Sequence, residues 1–312
     1  MDKTLLAHIK LAFKGIAMGA ADVIPGVSGG TIAFISGIYQ ELLDSIKSLN
    51  LHSLKLILKG EFKQFWQQIN GSFLLTLGGG IGISILSLAK VMEYLLNNYA
   101  IEVWSFFFGL IIASTIYVSK DISKWNGATV LSIIAGAFVA YFITTITPAE
   151  ANQSTLFIFL SGAIAVCAMV LPGISGSFIL VLLGMYKFIL GALSSFNIVV
   201  IMTFIAGAGI GIVVFSNFLS WLLKRAYNLT IGLLTGFMIG SLNKVWPWKE
   251  TVKTIIDRHG ETRVLIETNI WPFQYEQITS NESHLILAIV MATIGFMFIF
   301  TIQSIAKKDA MR

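Results

Sequence analysis

The sequence predicts an all-α, multi-pass membrane protein built from two related halves, and three observations support this class. Hydrophobic residues make up 56% of the 312-residue chain and charged residues 12%, whereas soluble domains carry about 25% charged residues. Several charge-free windows approach the ~20 residues that a helix needs to cross a bilayer. A helix-breaking motif also occurs twice, in residues 23–39 and 170–186.

The repeated motif predicts a re-entrant hairpin in each half. Both copies begin with the pattern Val-x-Pro-Gly-x-Ser-Gly. Proline cannot continue the helical hydrogen-bond ladder, glycine tolerates any φ, and serine can cap the following helix. Each copy is therefore expected to form two half-helices, each too short to span the bilayer, that meet at a polar tip.

The first repeat is assigned to residues 1–119. Its segment 44–70 alternates lysines with leucine and phenylalanine at helical spacing, which is typical of an amphipathic helix on a membrane surface. In chain order we expect an amphipathic helix at 1–14, a re-entrant hairpin at about 15–43, the surface helix at 44–70, and spans at about 71–92 and 100–119.

The second repeat is assigned to residues 155–243, after a linking transmembrane helix within 120–154. In chain order we expect the linking span at about 126–147, a second hairpin at about 155–191, spans at about 197–222 and 228–243, an extracytoplasmic insert at 244–283, and a C-terminal transmembrane helix at about 285–306 within 284–312. Two strand-like runs in the insert, 263–268 and 270–277, predict a small β-hairpin outside the bilayer.

Loop charges predict the orientation of these segments. Most of the 21 Lys and Arg residues fall in loops that lie on one side if both termini are cytoplasmic. The first hairpin then opens from the cytoplasm and the second from outside. The pattern Gly-x-Gly-Ile-Gly-Ile recurs at 78–83 and 207–212, so the halves are interpreted as an inverted-topology repeat, an architecture of alternating-access transporters.

The hairpin tips are the predicted anion site. Free N–H groups at the start of each second half-helix would suit a phosphate or carboxylate. The alternative is that the small residues permit close packing of the hairpins. The candidate phosphate-binding residues are Ser28, Gly29, Gly30, Thr31, Ser175, Gly176 and Ser177.

Charged residues near the hairpins extend this candidate site. Asp22 lies in an otherwise uncharged run, where an intramembrane acid suggests proton coupling or pairing with Lys14. The alternative is that its carboxylate satisfies N–H groups at the hairpin tip. Lys14, Lys244, Lys249 and Arg225 are candidate cations for a phosphate head group, with interfacial anchoring or snorkelling as the other explanation.

Two further patterns carry predictions. The pairs Gly78/Gly82 and Gly207/Gly211 are spaced for close helix packing. The histidines lie at helix edges or in loops, and no Asp or Glu pair falls within a span, which argues against an intramembrane hydrolase or metalloenzyme. We therefore expect no catalytic residues, metal site or cofactor, and no nucleic-acid partner.

The motif residues resemble a known bacterial membrane family. The stretches Asp22-Val-Ile-Pro-Gly-Val-Ser-Gly-Gly-Thr31, Leu171-Pro-Gly-Ile-Ser-Gly-Ser177 and Trp246-Pro-Trp-Lys249 are similar to those of the PopT polyprenyl-phosphate transporters, first catalogued as a domain of unknown function. The resemblance covers nearly the whole chain. It implies recycling of undecaprenyl phosphate, the lipid carrier of cell-wall precursors, from the outer to the inner leaflet of the bacterial cytoplasmic membrane.

Three hypotheses therefore stand. The first is translocation of a polyprenyl phosphate, with proton coupling through Asp22. The second is secondary transport of a small water-soluble anion, which would need a sealed aqueous cavity instead of a lateral gap. The third is a non-transporting membrane scaffold that binds a partner through residues 244–283.

Overall fold

The computed structural model describes residues 3–23, 27–146, 152–256 and 262–310, and it is mainly helical. The first part contains α1 Lys3–Asp22, α2 Gly29–Ile35, α3 Tyr39–Lys47, α4 Leu51–Leu58, α5 Phe62–Gln68, α6 Gly71–Asn98, α7 Ala100–Ser119 and α8 Gly127–Thr145. The second contains α9 Thr155–Val170, α10 Gly176–Leu182, α11 Tyr186–Ser194, α12 Ile198–Arg225, α13 Tyr227–Ser241, β1 Lys249–Ile256, β2 Thr262–Asn269, α14 Pro272–Thr279 and α15 Leu285–Ala310.

Both hairpins are built in the same way. A long first helix, α1 or α9, ends at the motif and a seven-residue helix, α2 or α10, follows it. Gly37 with φ +73° and Gly184 with φ +69° then turn the chain into α3 and α11, because a left-handed φ is accessible to glycine without steric cost. The bend between α10 and α11 is 109°.

Two predictions about the first half are wrong in detail. Residues 3–22 form one continuous helix, so the amphipathic segment and the first arm of the hairpin are not separate elements. The segment 44–70 is not one helix but the end of α3 followed by α4 and α5. Asn50 starts α4 with a reciprocal capping box to Ser53, and Gly60 ends it with φ +75°.

The insert contains a β-hairpin, but its strands differ from the prediction. The run 263–268 lies in β2, which pairs antiparallel with β1, with Lys249 opposite Asn269 at the open end of the ladder. The predicted second strand at 270–277 is wrong, because Pro272 starts α14. Proline at the first helical position loses no hydrogen bond, and it is unsuited to a paired strand.

Four helix pairs share one packing geometry: α1 with α6, α9 with α12, α8 with α13, and α7 with α15. In each pair two glycines face each other, and a Cβ on either would overlap the carbonyl oxygen three residues before the other. The facing glycines are Gly15/Gly80, Gly162/Gly207, Gly136/Gly236 and Gly109/Gly295. This close backbone approach is what small residues permit between membrane helices.

The prediction for the glycine pairs is half right. Gly207 and Gly211 do pack against α9, at Phe159 and Ala163. Gly78 and Gly82 face open space, and the packed glycine of α6 is Gly80. The spacing correctly predicts the packed glycines of α12. On α6, however, the face that meets α1 carries Gly80 and not Gly78 or Gly82.

Side-chain contacts define two ends of the helix bundle. At the loop end, Asn228 at the start of α13 accepts hydrogen bonds from Ser123, which follows α7. At the insert end, Asn243 after α13 contacts Thr144 at the end of α8, and Lys249 lies over Trp104 near the start of α7. The helix α6 therefore runs towards the insert end, and α12 runs towards the loop end.

The first arms of the two hairpins run in opposite directions. The contacts of Gly15 and Gly19 with successive turns of α6 show that α1 is parallel to α6. The contacts of Gly207 and Gly211 with successive turns of α9 show that α9 is parallel to α12. Since α6 and α12 run in opposite directions, α1 and α9 approach the interior from opposite ends of the bundle.

Four helices are long and apolar enough to cross a bilayer among the residues that the structure describes: α6, α7, α8 and α12. The bent pair α10/α11 would make a fifth if it counts as one span, and α9 and the first part of α15 are apolar but shorter. The predicted span at 228–243 corresponds to α13, whose 15 residues cover about 22 Å and fall short of a ~30 Å hydrocarbon core.

Candidate functional site

The two hairpin tips meet inside the bundle and bind each other directly. Ser28 Oγ lies 3.0 Å from the carbonyl oxygen of Met169 and 3.1 Å from that of Leu171. The Gly173 N–H donates to Thr31 Oγ1 at 3.0 Å. Two sequence-predicted residues, Ser28 and Thr31, thus join the hairpins, while Pro25 and Gly26 lie outside the described residues.

The side chains of Asp22, the last residue of α1, and of Ser28 cap the start of α2. The Gly29 N–H donates to Asp22 Oδ1 at 2.7 Å, and the Gly30 N–H donates to Ser28 Oγ at 3.1 Å. The other carboxylate oxygen, Oδ2, is buried without a hydrogen-bond partner among the residues described. The carboxylate therefore satisfies a tip N–H group, as one of the two sequence interpretations expected, and retains one unpaired oxygen.

The second tip borders a narrow crevice. Ser175 precedes α10, but its side chain accepts no hydrogen bond from a backbone N–H of the helix, and its Oγ lies 2.9 Å from Ser177 Oγ. Gly176 packs against Ala165 of α9. The crevice is lined by Ala140, Ile143, Thr144, Gly173, Ile174, Ser175, Phe178 and Lys244. The structure thus brings together two predicted site residues that are far apart in sequence, Ser175 and Lys244.

Lys244 and Lys249 have different surroundings. Lys244 Nζ lies 4.8 Å from the centre of the Phe178 ring, above the crevice. Lys249 Nζ donates to the Lys244 carbonyl oxygen at 2.9 Å, lies 3.6 Å from Glu267 Oε2, and sits 4.2 Å from the centre of the Trp104 ring. Lys249 is therefore enclosed, whereas Lys244 faces the crevice.

Burial shifts the pKa of both ammonium groups. It lowers the pKa of Lys244 below its ordinary value, against the opposing effect of the Glu267 carboxylate. It lowers the pKa of Lys249 to about 8, with Glu267 opposing the shift and the positive charge of Lys244 adding to it. Two ammonium groups thus share one carboxylate, which leaves a local excess of positive charge.

The other two candidate cations lie elsewhere. Lys14 Nζ donates to the carbonyl oxygen of Ser36 at 2.7 Å, at the far end of α2 from the tip. Arg225 is exposed in the last turn of α12, at the loop end. Neither residue lines the crevice, so the predicted cation set divides into one pair at the insert end and two separate residues.

Several residues of the site had no signal in the sequence. Thr144 and Phe178 line the crevice from α8 and α10, and Trp104 and Glu267 enclose Lys249. Thr144, Trp104 and Glu267 lie in ordinary helices or strands without a motif, and Phe178 lies in the second motif copy at a position where the first copy has Thr31. In the described part of the chain, no group of three or more His, Cys, Asp or Glu residues could hold a metal ion.

Apolar helices that pack on glycine seams, with two broken helices meeting at polar tips in the interior, define a multi-pass membrane protein of the transporter class. The chain belongs to the VCA0040-like family, described as undecaprenyl phosphate translocase-like, whose profile matches residues 18–263. The resemblance inferred from the motifs is thereby confirmed.

Two curated relatives agree with this assignment. A polyprenyl-phosphate transporter of Vibrio cholerae is 45% identical over 301 residues, which cover 96% of this chain and 98% of the relative. A polyprenyl-phosphate transporter of Staphylococcus aureus is 31% identical over 252 residues, which cover 75% of this chain and 84% of the relative. No solved structure matches the chain significantly.

Proposed function

We propose that this protein translocates undecaprenyl phosphate from the outer to the inner leaflet of the bacterial cytoplasmic membrane, for reuse in cell-envelope synthesis. The family and the names of the two relatives support a polyprenyl phosphate as the substrate. The observation that carries the proposal is the crevice itself, where the Lys244 ammonium and the Ser175 hydroxyl lie at the tip of a broken helix.

The chemistry of this crevice suits a phosphate monoester. A phosphate needs a cation and hydrogen-bond donors, and such charge-assisted bonds are about twice as strong as neutral ones. Lys244 would provide the charge and Ser175, which lines the crevice, a hydroxyl donor. Ser177 Oγ lies 2.9 Å from Ser175 Oγ and would orient that hydroxyl. The isoprenoid tail would remain between the helices in contact with lipid.

Alternating access is proposed to arise from an inverted-topology repeat. The first arms α1 and α9 run in opposite directions and their tips meet, so each hairpin can serve one side of the membrane. The loop charges support an orientation with the loop end and both termini in the cytoplasm and the insert end outside. The crevice beside Lys244, which in this structure has room for about one water molecule, would then widen to receive the phosphate from the outer leaflet.

Passage to the other side requires the tips to separate. Ser28 and Thr31 bind the second hairpin, α9 to α11, here called hairpin 2. The N–H groups of Gly29 and Gly30 are capped by Asp22 and Ser28. These groups can bind phosphate only after these contacts open. Asp22, with one buried oxygen that has no hydrogen-bond partner among the described residues, is proposed as the group that takes up a proton during this step.

Leaflet-resolved transport in proteoliposomes tests this function. Purified protein should move undecaprenyl phosphate between leaflets, faster with a proton gradient than without it. Ser175→Ala should slow the movement, and Asp22→Asn should remove the effect of the gradient. Ser195→Ala, at an exposed position after α11, is the matched control and should transport normally.

The same vesicles separate the alternatives. Uptake of inorganic phosphate with no movement of the lipid would indicate a transporter of a soluble anion. If neither inorganic phosphate nor the lipid moves, although the protein retains its native unfolding temperature, transport of both substrates is excluded. The scaffold hypothesis then remains.

A further inference from the structure

We propose that the base of the β1–β2 hairpin is a clasp that holds the Lys244 ammonium over the crevice. In this arrangement Lys244 contacts the substrate phosphate, and Lys249 and Asn269 are positioning residues that act through it. The inference rests on the proposed function and assigns a task to the insert, which the family relationship does not.

Asn269 fixes the segment before Lys244. Its side-chain Nδ2 donates to both the carbonyl oxygen and the Oδ1 atom of Asn243, at 2.7 and 2.9 Å. Asn243 Nδ2 in turn donates to Thr144 Oγ1 of α8 at 2.8 Å. The last residue of β2 is thus tied through Asn243 to the wall of the crevice.

Lys249 fixes Lys244 itself. Its ammonium donates to the Lys244 carbonyl oxygen, pairs with Glu267 and covers the Trp104 ring. The side chain of Lys249 is 9% exposed. Among the described residues, all polar contacts of Lys249 are within this cage, so its ammonium can reach a ligand in the crevice only by giving them up.

The two positioning residues act on the same short segment, residues 243 and 244. Lys249 and Asn269 are opposite each other in the ladder, at the end of the hairpin nearest the helices. Pairing of the strands therefore brings both side chains to the two residues Asn243 and Lys244 at once. Because the strand pair already orders the segment that contains Asn243 and Lys244, this segment loses less conformational entropy when a ligand binds.

Lys244 is the ammonium group with unused donors. Within the described residues, no acceptor lies within hydrogen-bond distance of its Nζ, whose close neighbour is the face of Phe178. A cation over an aromatic face is attracted by the ring but retains its N–H donors. A phosphate oxygen in the crevice beside Ser175 could accept from it.

A double-mutant cycle tests the division of roles. The probe is farnesyl phosphate, a short polyprenyl phosphate, with farnesol as the uncharged reference, and both are titrated into the purified full-length protein in detergent. Lys244→Met should raise the Kd for farnesyl phosphate by about tenfold or more, since a hydrogen bond to a charged group contributes about 1.5–3 kcal/mol. Binding of farnesol should not change.

The positioning residues should show an effect only when Lys244 is present. Lys249→Met and Asn269→Ala should each weaken binding by several-fold in the native background. Neither should weaken it further in the Lys244→Met background, because a residue that acts through another has no effect once that residue is lost. Lys187→Met removes an exposed lysine of α11 that does not line the crevice, and this variant should bind normally.

Each contrary result has a definite meaning. If the losses of binding free energy caused by Lys249→Met and Lys244→Met add in the double mutant, Lys249 contacts the phosphate itself and the clasp assignment is wrong. If Lys244→Met binds as tightly as the native protein, Lys244 is not the contact. Should Lys249→Met fail to fold, Asn269→Ala provides the same cycle. If the native protein neither binds farnesyl phosphate nor moves undecaprenyl phosphate, the proposed function fails as well.

Discussion

Replacing Gly207 by alanine should disturb the second hairpin through its supporting helix. A Cβ at this position would lie well inside the 3.0 Å limit that Cβ atoms respect from the carbonyl oxygen of Phe159. Because this oxygen belongs to the backbone of α9, the helices α9 and α12 must separate by about 1 Å. The helix α9 leads directly into the tip at Leu171, so the displacement reaches the crevice.

Gly209 provides a matched control on the same helix. A Cβ there has nothing within 4 Å. Both alanines gain the same helix propensity over glycine, about 1 kcal/mol, so this gain cancels in the comparison. What remains is the cost of overpacking, typically about 1–3 kcal/mol. Gly207→Ala should therefore be less stable than Gly209→Ala by about that amount.

The comparison needs two measurements on each variant. Unfolding in detergent should occur at a lower temperature for Gly207→Ala than for Gly209→Ala, and proteoliposome transport should fall only in the former. Equal unfolding temperatures would refute the close approach of α9 and α12 at this seam. Lower stability with unchanged transport would show that the displacement does not reach the hairpin tip.

Three further predictions follow from individual contacts. Ser28→Ala removes the link to hairpin 2 and the cap on Gly30, and should lower the free energy of unfolding by about 1–3 kcal/mol in a denaturant titration; no change would refute the tip contact. Asp22→Asn retains an acceptor for the Gly29 N–H and should unfold near the native temperature. Asp22→Ala removes this acceptor and should lower the free energy of unfolding by about 1 kcal/mol more than Asp22→Asn does. Equal stability of the two variants would contradict the cap. Lys249 has a pKa lowered by burial to about 8 from its ordinary value of 10.5, with Glu267 and Lys244 facing it. The unfolded chain then binds more protons than the folded protein between these values, so this group should increase stability as the pH rises from about 8 to 10.5. The difference between the unfolding temperatures of the native protein and Lys249→Met should follow that rise, and a pH-independent difference would contradict it.

The helices were largely predictable because their signals are local. Charge-free windows located α6, α7, α8 and α12, since a lipid-exposed helix must be apolar along its whole length. The Pro-Gly-x-Ser-Gly motifs located both breaks. Errors arose where local signals were weak or absent, as for the run 270–277, where the single Pro272 outweighed strand-like composition.

The site was less predictable because its residues are distant in sequence. The motif identified Ser28, Thr31 and Ser175 as tip residues, but not that the first two would bind the opposite hairpin. Lys244 and Lys249 looked equivalent in the sequence. Their surroundings differ because Lys249 is enclosed by Trp104, from a helix far along the chain, and by Glu267, from the strand paired with its own.

The sequence by itself determined the class of protein, the repeated broken helices and the family, since hydrophobicity, helix breakers and motif spacing are properties of short segments. Tertiary structure decided which glycines face a partner, what occupies the start of α2, and which lysine faces the crevice. The physical reason is that each of these depends on which backbone or side chain from another element lies within a few ångströms, and no short segment encodes that distance.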